Sequence, residues 1–243
     1  MENNTERQSL EEEKIRLWDL ASGYFEFGMI KDAVAYAEEL VSLDENDSWP
    51  YVALGYFLER NKEMDRAMRC YSETIKRFPE CYAAYGNLGF CFETYKKRLD
   101  IALVLYEKTL EIKPMDAWAL NNIGFILGKY GKWRDSLAYH KKAYEISQTG
   151  FGASDDELYN LAFAHYKCKN YQEALEVYNA LANSYTDDYK EMPLVLAKLS
   201  CVHFKMKRFN DAVELLDKAL SLCPKDRRCR RLYKIVSKKL DVL

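Results

Sequence analysis

Apolar side chains return along this chain every three or four residues, in runs of about a dozen broken by short polar or glycine-bearing turns. Leu17, Leu20, Tyr24 and Phe27 make the first run, Gly28 closes it, and Ala33, Ala37 and Leu40 make the second. This is the period of amphipathic helices joined as hairpins. Ser9 with Glu12 fits a capping box, which starts the first helix near Leu10 and leaves the polar residues 1–8 outside it.

Two ladders of small residues run through the pattern. On the first helix of each hairpin the small position is Ala21, Gly55, Gly89, Gly124, Ala162 and Ser200, at spacings of 34, 34, 35, 38 and 38. On the second helix it is Ala33, Ala67, Ala102, Ser136, Ala174 and Ala212, at 34, 35, 34, 38 and 38. Ser136 is a mild departure from Ala. Small residues at fixed places let two antiparallel helices approach, and the aromatics beside them fill the remaining space. Pro79, Pro114 and Pro224 form a partial third ladder that stops the second helix before the next unit.

The stretch Tyr85–Pro114 shows the unit best: Tyr85, Leu88-Gly89, Phe92, Ala102, Tyr106, Pro114. That order resembles the tetratricopeptide repeat (TPR) pattern. The resemblance implies an all-α, right-handed α-solenoid of about six helix-turn-helix repeats, a single superhelix over 1–243. The repeats fall at about 14–47, 48–81, 82–116, 117–150, 155–188 and 193–226, with a capping helix at about 227–241. Each repeat buries its apolar face only on its neighbours, so the array needs such a cap.

Four extra residues fall on each side of the fifth repeat, within 147–156 and near 185–193. Four residues are about one helical turn, so each insertion can lengthen a helix or form a loop. Gly150 and Gly152 favour a loop in the first case, and Pro193 fits the first turn of a helix in the second. Past Pro224, Cys229, Leu232, Val236 and Leu240 form the apolar stripe of one more helix. Eight of the fifteen residues from Lys225 to Lys239 are basic, which suits the solvent face of a cap or a patch for an acidic partner, a membrane surface or RNA.

With 36 basic and 38 acidic residues the net charge is −2, which argues against a general nucleic-acid binder. The seven cysteines are odd in number and contain no CxxC pair; Cys91 falls on a core position of its repeat. Free thiols acting as small hydrophobes suit a reducing, cytoplasmic setting. The N-terminal residues contain no signal-peptide run, and nowhere does the chain approach the ~18 apolar residues of a membrane span.

No nucleotide, hydrolase or metalloprotease motif occurs. Neither catalytic residue, metal, cofactor nor small-molecule substrate is expected. His165 near Cys168 and His203 near Cys201 read as core side chains; Cys201 and His203, two apart on a helix, face different ways and do not form a metal site.

In TPR proteins the first helices of successive repeats line a concave groove, reached by the residues on either side of the Leu-Gly pair. Before the pair stand Asn87, Asn122 and Asn160 in three consecutive repeats; after it stand Tyr56, Phe90, Phe125 and Phe163. Trp118 lies one turn earlier on the same face. An Asn amide both donates and accepts, so a row of them can hold a peptide backbone without reading its side chains. Each Phe ring fully buried by a ligand adds roughly 1.5–3 kcal/mol. The Lys/Asn/Arg set with which one TPR subgroup clamps an acidic C-terminus is lacking here. The resemblance thus implies a non-enzymatic scaffold that binds an extended peptide segment of another protein. Other readings stay open: an assembly protein that self-associates or docks by its convex face, or a binder of acidic partners or nucleic acid through the basic last helix.

Overall fold

A computed structural model of the chain describes residues 2–43, 45–150, 152–185 and 190–240, with side chains from Gln8 onward. Among the described residues there are thirteen α-helices and no strand. The first six are α1 (Glu2–Glu26), α2 (Ile30–Leu43), α3 (Ser48–Arg60), α4 (Met64–Arg77), α5 (Tyr82–Thr94) and α6 (Leu99–Ile112). The rest are α7 (Ala117–Lys129), α8 (Trp133–Gln148), α9 (Asp155–Lys167), α10 (Tyr171–Ser184), α11 (Met192–Lys205), α12 (Phe209–Leu222) and α13 (Arg227–Leu240). The fold is an all-α solenoid of helical hairpins.

The helices gather into two compact units, Met1–Pro114 and Met115–Leu243. In the first, each odd helix pairs with the next, and α2 packs on α3 and α4 on α5. In the second, α7 to α12 pair in the same way, and α13 packs on α12 and α11. Cys229 and Val236 of α13 are buried there with Leu232 packed beside them, so this part of the predicted stripe covers the last hairpin, whereas Leu240 at the helix end is exposed. Asp226 caps α13 by accepting the backbone N–H of Arg228 at 2.7 Å and of Cys229 at 3.0 Å.

Both small-residue ladders are buried along their whole length. The reason is visible at the glycines. A Cβ on Gly55 would lie 2.3 Å from the ring of Tyr71; on Gly89, 3.1 Å from Tyr106; on Gly124, 2.8 Å from His140. In repeats two, three and four the ring one turn past the small residue of the second helix (Tyr71, Tyr106 and His140) wedges onto the glycine of the first. Tyr71, Tyr106 and Tyr178 are each no more than 1% exposed in that slot. The turn between the helices of a repeat carries a further ladder, with positive φ at Gly28, Lys62, Lys97, Gly131, Lys169 and Lys207. Four lysines therefore hold a left-handed conformation that glycine adopts more easily.

Two expectations change. The first helix starts at Glu2, not near Leu10, and Ser9 lies inside it. The stretch before Leu10 is rich in Glu, Gln and Arg, good helix formers, and Lys14 and Arg16 pair with Glu11 and Glu13 one turn back at 2.8 and 2.5 Å. The first insertion is divided. α8 reaches 16 residues where α4, α6, α10 and α12 have 14, and the remainder forms a loop with Gly152 at φ 89°. The second insertion does not lengthen α10; residues 186–189 within it lie outside the described residues. Pro193 stands in the first turn of α11, as its sequence position implies. Cys91 is fully buried, and burial pushes its thiol up to about 12. No helix among the described residues is long and apolar enough to cross a membrane.

Candidate functional site

Each unit carries a hollow lined wholly or in part by its first helices. In the first unit the hollow is lined by Trp18, Phe25, Trp49, Tyr56 and Asn87 among others. Its aromatics touch one another: Trp18 meets Trp49 edge-on with centroids 4.1 Å apart, and Phe25 lies 5.4 Å from Tyr56. Tyr56 is 40% exposed, so this surface is wet and apolar. Two of the residues marked by sequence, Tyr56 and Asn87, meet here. Phe90 is half-buried on α5 and lines neither hollow.

In the second unit α7, α8 and α9 enclose a hollow of about 250 Å³. Its walls are Phe125, Trp133, Tyr159 and Phe163, with Trp133 edge-on to Phe163 at 5.5 Å and Tyr159 stacked on it at 6.4 Å. Asn160, Ser136 and His140 supply its polar lining. Three of the marked residues, Phe125, Asn160 and Phe163, thus come together. Asn122 and Trp118 do not join them. Trp118 is 42% exposed on α7, and Asn122 Nδ2 is buried with no hydrogen-bond partner among the described residues.

The polar lining is ordered from behind. His140 Nδ1 lies 2.8 Å from Asn121 Oδ1, and Asn160 Nδ2 donates to the same oxygen at 3.4 Å. An oxygen accepting twice leaves Nδ1 of His140 as the protonated nitrogen and Nε2 as a lone-pair acceptor. Burial holds the imidazole neutral, pushing its pKa down to about 4. Ser136 is 1% exposed and its hydroxyl has no partner among the described residues. Around the aromatic walls stand three lysines: Lys129 Nζ is 4.8 Å from the Phe125 ring centre, Lys167 Nζ 4.8 Å from that of Trp133, and Lys198 Nζ 4.5 Å from that of Phe163.

Asn121, Ser136, His140 and Trp133 were not candidates on sequence, which pointed only at first-helix tracks. The available signal lay in departures on the second helix, where Ser136 replaces Ala and His140 replaces Tyr within one repeat. Of the two His–Cys pairs only His165 is buried; Cys168, Cys201 and His203 are half-buried, short of the core placement that the sequence implies. His165 is buried, Cys168 Sγ points at the Trp133 carbonyl at 3.3 Å, and His203 Nδ1 lies 3.1 Å from Asp211. No group of three metal-ligating side chains comes together among the described residues.

No curated protein matches the chain in sequence. Solved structures match its fold. A chain of the APC/C hetero-tetramer Cut9-Hcn1 superposes with a TM-score of 0.75 at 17% identity, covering 92% of this chain. This chain spans only 42% of the length of that one. YrrB, described as a TPR protein with an unusual peptide-binding site, gives 0.67 at 18% identity over 82% of this chain and 97% of its own. PilF of Pseudomonas aeruginosa gives 0.77 at 15% identity over 95% of this chain and 99% of its own. Identities this low carry the fold alone. Tetratricopeptide repeat family models match residues 117–156, 158–188 and 193–226, which are the hairpins α7–α8, α9–α10 and α11–α12. With the same small-residue ladders running through α1 to α6, the chain is a tetratricopeptide repeat protein.

Proposed function

We propose that this protein is a non-enzymatic, cytoplasmic adaptor whose six repeats act as one array, holding an extended segment of another protein against their first helices. The observation that carries this reading is that each unit has a hollow in which an Asn of one track meets aromatics of the other. Asn87 stands with Tyr56 in the first unit, and Asn160 with Phe125 and Phe163 in the second. Amides beside half-exposed rings suit a peptide, whose backbone needs donors and acceptors while its side chains need apolar cover. Asn122, with its unpartnered amide, together with Phe90 and Trp118, extends the same faces. That a peptide-binding site is named for YrrB supports the use of such a fold for this purpose.

The test is the triple variant Asn87→Ala, Asn122→Ala, Asn160→Ala, compared with the native protein in pull-downs from source-cell lysate at equal helicity by circular dichroism. Loss of specific partners in the variant, followed by mapping of the bound segment with overlapping peptides, is the expected result. Retention of the same partners would make the Asn track structural and move attention to the basic face of α13.

A further inference from the structure

The repeats of this chain serve as controls for one another. Where repeats two and three place Glu59 and Glu93 near the end of the first helix, repeat four has Gly128. Where they place Ala67 and Ala102, it has Ser136; where they place Tyr71 and Tyr106, it has His140. In repeat three these positions complete each other, because the Tyr106 hydroxyl donates to Glu93 at 3.0 Å and the ring covers Gly89. Repeat four has lost both the carboxylate and the phenol, and Trp133 has moved over Gly128 instead, 2.8 Å from where a Cβ would be. The hollow of about 250 Å³ lies at this place.

Its chemistry is that of a missing phenol. Four rings form the wall, which suits a flat aromatic group. Ser136 presents a buried hydroxyl with no partner, and His140 presents an imidazole whose Nδ1 is engaged by Asn121. Together they offer a donor and an acceptor to one hydroxyl. Lys129, Lys167 and Lys198 stand over the wall rings and make no ion pair among the described residues. Three uncompensated cations around one aromatic hollow complement an acidic ligand.

We propose that this hollow takes the side chain of a tyrosine carried on an acidic stretch of a partner protein. The ring enters between Phe125, Trp133 and Phe163, the phenol hydroxyl meets Ser136 and His140, and the flanking carboxylates meet the three lysines. The inference rests on the peptide-binding reading and names the residue that reading lacks.

The probe is a capped pentapeptide with one tyrosine between two pairs of glutamates, titrated into the full chain and followed by the NMR signals of the Trp133 indole and the His140 imidazole. Both signals are expected to shift. Affinity is expected to fall by about tenfold when phenylalanine replaces the tyrosine, and by at least as much when lysines replace the glutamates. His140→Tyr restores the wedge that the chain uses at Tyr71, Tyr106 and Tyr178, so the variant should fold and exclude the peptide. Ser136→Ala should weaken binding without abolishing it. The proposal is overturned if an alanine-centred pentapeptide shifts Trp133 equally, if His140→Tyr binds with native affinity, or if neither signal moves at millimolar peptide.

The double variant Asn87→Ala, Asn122→Ala touches no wall of the hollow and separates the two readings. Loss of partners in that variant, with Trp133 unmoved by the pentapeptide, sinks the pocket and leaves the groove. Pentapeptide binding with every partner retained leaves the pocket and sinks the Asn track.

Discussion

Repeats three and four solve the same packing problem differently. In repeat three, Gly89 accepts the ring of Tyr106, and Glu93 accepts its hydroxyl, so the space between the helices is closed by apolar area and one charge-assisted hydrogen bond. In repeat four, Gly124 accepts the smaller ring of His140, whose nitrogen turns to Asn121, and a hollow remains. The wedge differs in volume and polarity, and Trp133 covers Gly128 where repeat three has Glu93. The lesson is that a repeat scaffold tolerates an open, polar joint when neighbouring joints are closed, because each interface contributes separately to stability.

Three measurements test that contrast. The largest effect is expected from Tyr106→Ala. Removing a fully buried ring should cost about 3–5 kcal/mol in urea denaturation. A loss below about 1 kcal/mol would mean that the ring is no wedge.

The next concerns pH. His140 is held neutral in the folded chain with a pKa of about 4, against about 6.5 when unfolded. Between those values the unfolded chain binds more protons. Its contribution is therefore complete above about pH 6.5 and shrinks as pH falls toward 4, by at most about 1.4 kcal/mol per pH unit. His140→Phe should flatten that part of the stability profile relative to the native protein. Parallel profiles would show that the imidazole is not held neutral by the fold.

The smallest effects are a pair of opposite sign. Gly55→Ala sets a methyl 2.3 Å from the Tyr71 ring and should destabilise by about 1–3 kcal/mol through overpacking. Gly23→Ala meets nothing within 4 Å in the last turn of α1 and should stabilise by about 0.5 kcal/mol. Equal effects at both sites would remove the close-approach account of the glycine ladder.

Much of this architecture is legible in the chain because it depends on size at fixed intervals. A buried interhelical contact admits Gly, Ala or Ser and little else, so Gly55, Gly89 and Ala162 announce themselves. The start of α1 is less legible, since Ser9 and Glu12 mimic a cap while the residues before them also favour helix. The tracks of Asn and Phe are readable as tracks. Their grouping is not: Asn87 falls with Tyr56, Asn160 with Phe125 and Phe163, and Asn122 with neither group.

The hairpin count, the register of the ladders, the buried positions of α13 and the family can all be read from the chain alone. These follow from period and volume, which are properties of the order of residues. Packing alone sets Gly128, Ser136 and His140 around one shared hollow, lets Asn121 hold the imidazole in one tautomer, and stands three lysines around four rings with no ion pair among the described residues. Those residues come from four helices, and an unfilled space exists only once the elements that bound it have packed.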